Sequence, residues 1–222
     1  MSRPLPVVVL ISGRGSNLQA ILDAITDNDL PVEVRAVISN RPDVAGLKRP
    51  ALLGIPTLVV DHACYADRQA FEAVLQSTID AFEPGLLVLA GFMRILTPEF
   101  VNHYRGRILN IHPSLLPEFP GLNTHQRVLD AGRRESGATV HFVTPEMDGG
   151  PAILQARVPV LAEDDAATLA KRVLEQEHRI YPLAIRWFAE GRVRLDNSGR
   201  VMLDGVPLDK PRVLRPGERR LV

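Results

Sequence analysis

The sequence predicts an α/β fold: a doubly wound, mostly parallel sheet with an antiparallel extension toward the carboxyl end. Three observations carry this expectation. Through the first half of the chain, β-branched apolar runs alternate with helical patterns, as in successive βαβ units. The run Leu86–Ala90 is apolar at every position, as expected of a strand covered on both faces. After Ile111 the rhythm changes, because Thr139–Thr144 and Ile153–Val160 are strand-like with no long helix between them.

In chain order, Val7–Ile11 is the first strand, followed by a glycine-containing turn and a helical pattern in Leu18, Ile21, Leu22 and Ile25. Val32–Ile38 is the second strand, and Asp43–Leu53 reads as a helix that stops at Gly54. Thr57–Val60 is a short third strand. Arg68–Phe82 is an amphipathic helix with Phe71, Val74, Leu75, Ile79 and Phe82 on one side. Arg107–Ile111 is a further strand, stopped by Pro113, which has no N–H to give to a ladder. Asn123–Gly132 reads as a helix. Asp164 and Asp165 are suited to cap a long helix reaching about Ala189. Val193–Leu195 and Arg200–Leu203, joined through Asn197-Ser198-Gly199, read as a hairpin, and the last dozen residues as a loose tail rich in Pro, Arg and Gly.

With 222 residues and 45% hydrophobic content, the chain is expected to bury one full core. It has no repeat, linker or low-complexity block, so it reads as a single domain over 1–222, with a core at about 6–191 and the hairpin and tail at 192–222. The formal net charge is zero, which gives no electrostatic reason to expect nucleic acid or membrane as a partner. The one cysteine, Cys64, allows no internal disulfide and no cysteine-based metal site, and it fits a reducing compartment. The apolar stretch Val7–Ile11 is too short for a signal-peptide core or a membrane span, so a cytoplasmic location is expected.

The chemistry concentrates in Asn110-Ile111-His112-Pro113 and in Asp148-Gly149-Gly150. Side chains two apart on a strand share a face, so Asn110 and His112 are expected to leave one strand end together. An amide N–H can hold a developing oxyanion, and an imidazole can pass a proton near neutral pH. Asp148, brought by a second loop, would fix the ring and favour its charged form. That is an acyl-transfer site in outline, and an amine substrate would make a protein nucleophile unnecessary. The ordinary alternatives are a hydrogen-bonded loop histidine and a plain Asp-Gly turn.

Ser12-Gly13-Arg14-Gly15-Ser16-Asn17-Leu18 stands where a strand hands over to a helix. Free N–H groups at a helix start suit an anion, a phosphate monoester being the fitting type. The plainer reading is a βα turn with Ser16 or Asn17 as helix cap. A dinucleotide fingerprint would need Gly or Ala where Leu18 stands and an acidic residue where Ser39-Asn40 stands; the Gly-Lys-Ser/Thr of a triphosphate loop is missing too. Gly91-Phe92-Met93-Arg94-Ile95-Leu96 follows the fourth strand, at the edge where open α/β sheets bind ligands, and its apolar members are either core or the lining of a slot for a flat ring. Arg68 and Arg94 read as ordinary solvated charges. Glu177 falls on the apolar stripe Leu169, Val173, Ile180, Ala184 and Trp187, so its carboxylate is expected inside, against an arginine or a ligand. His62, His103, His125, His141 and His178 show no metal-ligand spacing, and Asp61-His62-Ala63-Cys64 has no partner cluster.

These residues resemble the folate-dependent phosphoribosylglycinamide formyltransferases. The resemblance rests on Ile11-Ser12-Gly13-Arg14-Gly15-Ser16-Asn17-Leu18-Gln19-Ala20-Ile21, on Leu89–Leu96, on Leu109–Pro117, on Gly137–Gly150, and on Gln176-Glu177-His178 with Ile180-Tyr181-Pro182. It runs from Val7 to about Gly191. It implies a Rossmann-like formyltransferase fold and transfer of the formyl group of 10-formyltetrahydrofolate, as co-substrate, to the amine of glycinamide ribonucleotide. The products would be N-formylglycinamide ribonucleotide and tetrahydrofolate, in de novo purine biosynthesis, with no metal. By the same resemblance Asn110, His112 and Asp148 are the catalytic trio, and Gly15, Ser16 and Asn17 hold the acceptor phosphate with Glu177 on its ribose. Arg68 meets the glutamate tail of the folate, and Met93, Arg94, Ile95 and Leu96 its pterin, largely through backbone, beside Asn110. A monomer or homodimer working on small molecules alone is implied.

Two positions depart from the family pattern. Asn123 stands where many members open a His-Thr-His loop, and Pro145 where many carry an acidic residue. Among rivals, a methionyl-tRNA formyltransferase would need a further carboxy-terminal domain, a formyl-folate hydrolase has no use for a phosphate loop, and a non-catalytic binding module would have no need of an intact trio.

Overall fold

The computed structural model describes residues 3–27 and 30–214. The chain divides into two compact units, Met1–Asn110 and Ile111–Val222.

The first unit runs β1 (Leu5–Ile11), α1 (Ser16–Thr26), β2 (Val32–Ser39), α2 (Lys48–Leu52), β3 (Thr57–Val59), α3 (Arg68–Asp80), β4 (Leu86–Leu89) and α4 (Pro98–His103), and ends within β5 (Ile108–His112). Its strands stand in the order β5-β4-β1-β2-β3 and every neighbouring pair is parallel. Val7–Ile11 and Leu86–Val88 are buried, which accounts for their unbroken apolar sequence. The strand order reverses between β1 and β4. In open α/β sheets, the crevice outside the carboxyl ends of such a pair is where ligands bind.

The second unit holds α5 (Thr124–Asp130), β6 (Glu135–Phe142), β7 (Ala152–Pro159), α6 (Ala166–Ala189), β8 (Val193–Leu195), β9 (Val201–Leu203), β10 (Val206–Pro207) and β11 (Arg212–Leu214). β6 and β7 are antiparallel, with Ala138 opposite Ala156, and α6 lies against both. An Asp165–Thr168 capping box starts α6, and Leu169, Val173, Glu177, Ile180, Ala184 and Trp187 form its buried stripe. β8, β9 and β10 make a small separate antiparallel sheet. The fold is the expected α/β type, a mostly parallel sheet with an antiparallel extension.

Four local expectations need correction. Asp43–Leu53 is not one helix: a 3-10 turn at Ala45–Leu47 precedes α2. Pro50 dictates this, since a residue without an N–H is tolerated only in a first helical turn, and α2 starts just ahead of it. Val74 faces out, at 39% exposure, while Glu72 is buried at 4%. α4 is an additional helix, opened by the Thr97 cap and Pro98. The tail is not loose throughout, because Arg212–Leu214 pairs in parallel with Leu154–Ala156 of β7; residues 215–222 lie outside the described part. Among the described residues no helix is long and apolar enough to cross a membrane.

Candidate active site

β5 carries Asn110, half-buried, and His112, buried, two residues apart and therefore on one face of the strand. Asp148 comes from the turn between β6 and β7, where its φ of 52° is a left-handed conformation that Asp tolerates better than most residues. Its Oδ2 lies 3.4 Å from His112 Nδ1 and accepts the Gly121 N–H at 2.8 Å. His112 Nε2 donates to the Phe119 carbonyl at 2.9 Å. Both ring nitrogens thus face acceptors, an arrangement that an imidazolium with two N–H groups satisfies fully. The two side chains are only 7% and 13% exposed, so little water screens the pair.

A second imidazole flanks the same carboxylate. His141 Nε2 is 3.9 Å from Asp148 Oδ1, and His141 Nδ1 donates to the Phe142 carbonyl at 2.9 Å. Burial pushes the His141 ring below the ordinary imidazole range, against the smaller upward pull of the Phe142 carbonyl and Asp148. His125, in α5, is also pushed down, by burial first and by the charge of His112 second.

In the first unit, the β1–α1 turn is built around Gly15, the N-cap of α1, at φ 74°. The N-cap is Gly15 rather than Ser16 or Asn17, and Gly15 has no side chain with which to bond the first-turn N–H groups. That corrects the expected cap residue, and N–H groups at a helix start of this kind suit an anion. A Cβ on Gly15 would stand 2.8 Å from the Gly46 Cα, and the Gly46 N–H donates to the Gly13 carbonyl at 3.1 Å. The loop after β4 divides in character: Phe92 and Leu96 are core, Arg94 is half-buried, and Met93 and Ile95 are exposed.

Arg68, exposed, is the first residue of α3, behind the Asp67 cap. One turn on, the buried Glu72 carboxylate accepts the Thr97 N–H, at 3.0 and 3.2 Å to its two oxygens, and the Thr97 hydroxyl. The structure therefore ties the Arg68 helix to the far end of the Gly91–Thr97 segment. Glu177 is buried on the inner stripe of α6, as its spacing predicts. Asn123, at φ 55°, is the N-cap of α5, and asparagine is among the residues that accept this conformation most readily.

The sequence assigns no role of their own to Ser12, Asn40, Glu72, Gly121, the Phe119 carbonyl or His141. Only Glu72 had a legible signal. It lies on one helical face with Leu75 and Ile79, the same logic that finds Glu177.

Residues 5–185 match the formyl transferase family. A phosphoribosylglycinamide formyltransferase of Escherichia coli is 53% identical over 199 residues, covering 90% of this chain and 93% of that protein. The enzyme of that name from Haemophilus influenzae is 46% identical over 204 residues, covering 92% of this chain and 96% of that one. The solved structure of a Coxiella burnetii phosphoribosylglycinamide formyltransferase, in complex with CHES, superposes with a TM-score of 0.90 at 53% identity, over 95% of this chain and 99% of that one. With its residues matched from near the first strand through most of the last long helix, the chain belongs to the formyl transferase family.

Proposed function

We propose that this chain transfers the formyl group of 10-formyltetrahydrofolate to the amine of glycinamide ribonucleotide, with Asn110, His112 and Asp148 as the catalytic residues. The observation that carries the reading is the buried His112–Asp148 pair at the end of the strand that also bears Asn110.

The acceptor amine attacks the formyl carbon, and the carbonyl oxygen becomes an oxyanion. The Asn110 amide and His112 Nε2–H stabilise it, Nε2 exchanging the Phe119 carbonyl for the substrate. The bond from the formyl carbon to the folate N10 then breaks. His112 gives a proton to that nitrogen, and the amine's proton leaves through solvent, restoring the ring. Asp148 holds Nδ1–H and balances the charge of the ring. The turn Gly15, Ser16 and Asn17 takes the acceptor phosphate and Glu177 its ribose hydroxyls. The backbone of Met93, Arg94, Ile95 and Leu96, beside Asn110, takes the pterin, and Arg68 the glutamate carboxylates. Nothing in this sequence of steps calls on a metal.

We read the chain as one catalytic domain, a cytoplasmic monomer or homodimer acting on small molecules without nucleic acid. The family match supports the single domain, since it runs across residue 110, and the lone exposed Cys64 fits a reducing compartment. Mixing the protein with 10-formyltetrahydrofolate, with and without glycinamide ribonucleotide, and following the folate absorbance tests the activity. Turnover only with the acceptor is expected. Equal turnover without it would make the protein a hydrolase, and none in either case a binding module.

A further inference from the structure

The two loops assigned above to the two substrates are joined by one buried hydroxyl. Ser12 closes β1 just before the phosphate turn and is 4% exposed; Asn40 follows β2 and is 2% exposed. The Met93 N–H donates to Ser12 Oγ at 2.7 Å, and Ser12 Oγ donates to Asn40 Oδ1 at 2.5 Å. The Ser12 N–H also donates to the Gly91 carbonyl, at 3.1 Å. A serine hydroxyl has a single hydrogen, so the chain from Met93 through Ser12 to Asn40 can run in one direction only. Asn40 is itself fixed from behind: its carbonyl accepts from His62 Nδ1 at 2.8 Å and from the His62 N–H at 3.3 Å.

Apolar packing alone would suffice to bury a strand end. The arrangement is more specific than that, because its hydroxyl touches the backbone of the loop whose side chains Met93 and Ile95 stand open to solvent, while the next residue, Gly13, opens the phosphate turn. Gly13 in turn holds Gly46, against which Gly15 is packed. A shift of the phosphate turn on binding its anion therefore moves Ser12, and Ser12 cannot move without moving the Met93 N–H or leaving it unpaired.

We propose that Ser12 is a positioning residue that couples the two substrates: filling the phosphate turn sets the backbone of the donor loop, and the reverse. By linkage, each ligand then tightens the other by one common factor. The inference rests on the assignment of the two loops made under Proposed function.

Tetrahydrofolate and glycinamide ribonucleotide together form a dead-end pair, because no formyl group is present to transfer. Calorimetric titration of the ribonucleotide, with and without saturating tetrahydrofolate, gives the coupling factor directly. In the unaltered protein it is expected to be about fivefold or more. In Ser12→Ala it is expected to fall to near one, with each ligand alone binding within about threefold of normal, and Ser12→Thr, which keeps the hydroxyl, is expected to recover most of it. If Ser12→Ala does not fold, Asn40→Ala carries the test; it leaves the hydroxyl but removes its acceptor, and the factor must again fall. A factor near one in the unaltered protein, or an unchanged factor in a folded Ser12→Ala or Asn40→Ala, overturns the proposal. The loop assignment fails separately, if the dephosphorylated nucleoside binds as tightly as the ribonucleotide.

Discussion

His112 and Asp148 meet at 3.4 Å, Nδ1 to Oδ2, while the same Oδ2 holds the Gly121 N–H. The carboxylate thereby fixes the ring and the loop beside it in one contact. Removing the ring removes the proposed proton donor, so His112→Ala is expected to lower kcat by about 10²–10⁴-fold with both substrates still bound. Asp148→Asn keeps an oxygen or an amide at the same place but takes away the charge opposite the ring. Its kcat is expected to fall as well, with KM for either substrate moved far less. Single-turnover and steady-state rates for both variants check this, and a fully active Asp148→Asn would reduce the pair to a structural contact.

Gly15 is fixed by sterics before any ligand is considered. Its φ of 74° disfavours any side chain, and an added Cβ would come within 2.8 Å of the Gly46 backbone. Gly15→Val is thus expected to force the turn away from Gly46 and to raise KM for the phosphorylated acceptor at least tenfold, with donor KM raised far less through the Ser12 link. Equal losses for donor and acceptor would mean that the turn does not hold the phosphate.

Much of the molecule could be read from residues, and what could not follows a pattern. Val7–Ile11 and Leu86–Leu89 are buried strands because they are apolar throughout, and Asn110 and His112 share a face because strands have a period of two. Glu177 is found inside by helical spacing alone. The Asp148–His112 contact joins a strand end to a turn remote in sequence, so only the fold reveals it. Arg212–Leu214 has weak strand character of its own and becomes a strand by pairing with β7, a tertiary effect that outweighs local propensity. The Ser12–Asn40 bond joins the ends of two neighbouring strands, and nothing in either segment alone announces it.

The turn that brings Asp148 into place depends on the glycine after next. A Cβ on Gly150 would fall 1.8 Å from the Phe142 carbonyl oxygen and 3.3 Å from His141 Nδ1. Backbone cannot yield as a flexible side chain does, so Gly150→Ala is expected to cost about 1–3 kcal/mol or more of stability. It should also depress turnover by displacing Asp148. Urea unfolding and kcat measured on the same preparation give both quantities, and a variant as stable and active as the parent would contradict the packing described.

Arg68 is exposed at the start of α3, so the contact with the folate glutamate proposed for it would be made in screened surroundings. Arg68→Ala is accordingly expected to raise donor KM only about two- to fivefold and to leave kcat alone, and the parent's donor KM should rise with salt more than the variant's. An identical donor KM and salt response in the two proteins would return Arg68 to an ordinary surface charge.

His141 makes acid stability a test of the site's burial. Its ring is pushed below the ordinary imidazole range, by burial before any other cause, and so stays neutral in the folded protein where an unfolded chain would already be protonated. The unfolded state therefore binds the extra proton first. Where the unfolded state holds more protons, stability rises with pH, so the folded protein loses stability as pH falls below about 6.5, the unfolded imidazole value. One proton gives a limiting slope of about 1.4 kcal/mol per pH unit, which ends only when the folded ring also protonates. His141→Gln keeps a side-chain N–H donor able to face the Phe142 carbonyl but cannot titrate. Between pH 7.5 and 5 its urea midpoint is expected to fall less than that of the parent, the difference growing toward the acid end. Other groups that titrate in the window, His125 among them, act on both proteins and cancel in the comparison. Parallel curves for the two proteins would show that His141 takes up its proton as readily folded as unfolded, and that the cavity beside Asp148 is wetter than its burial implies.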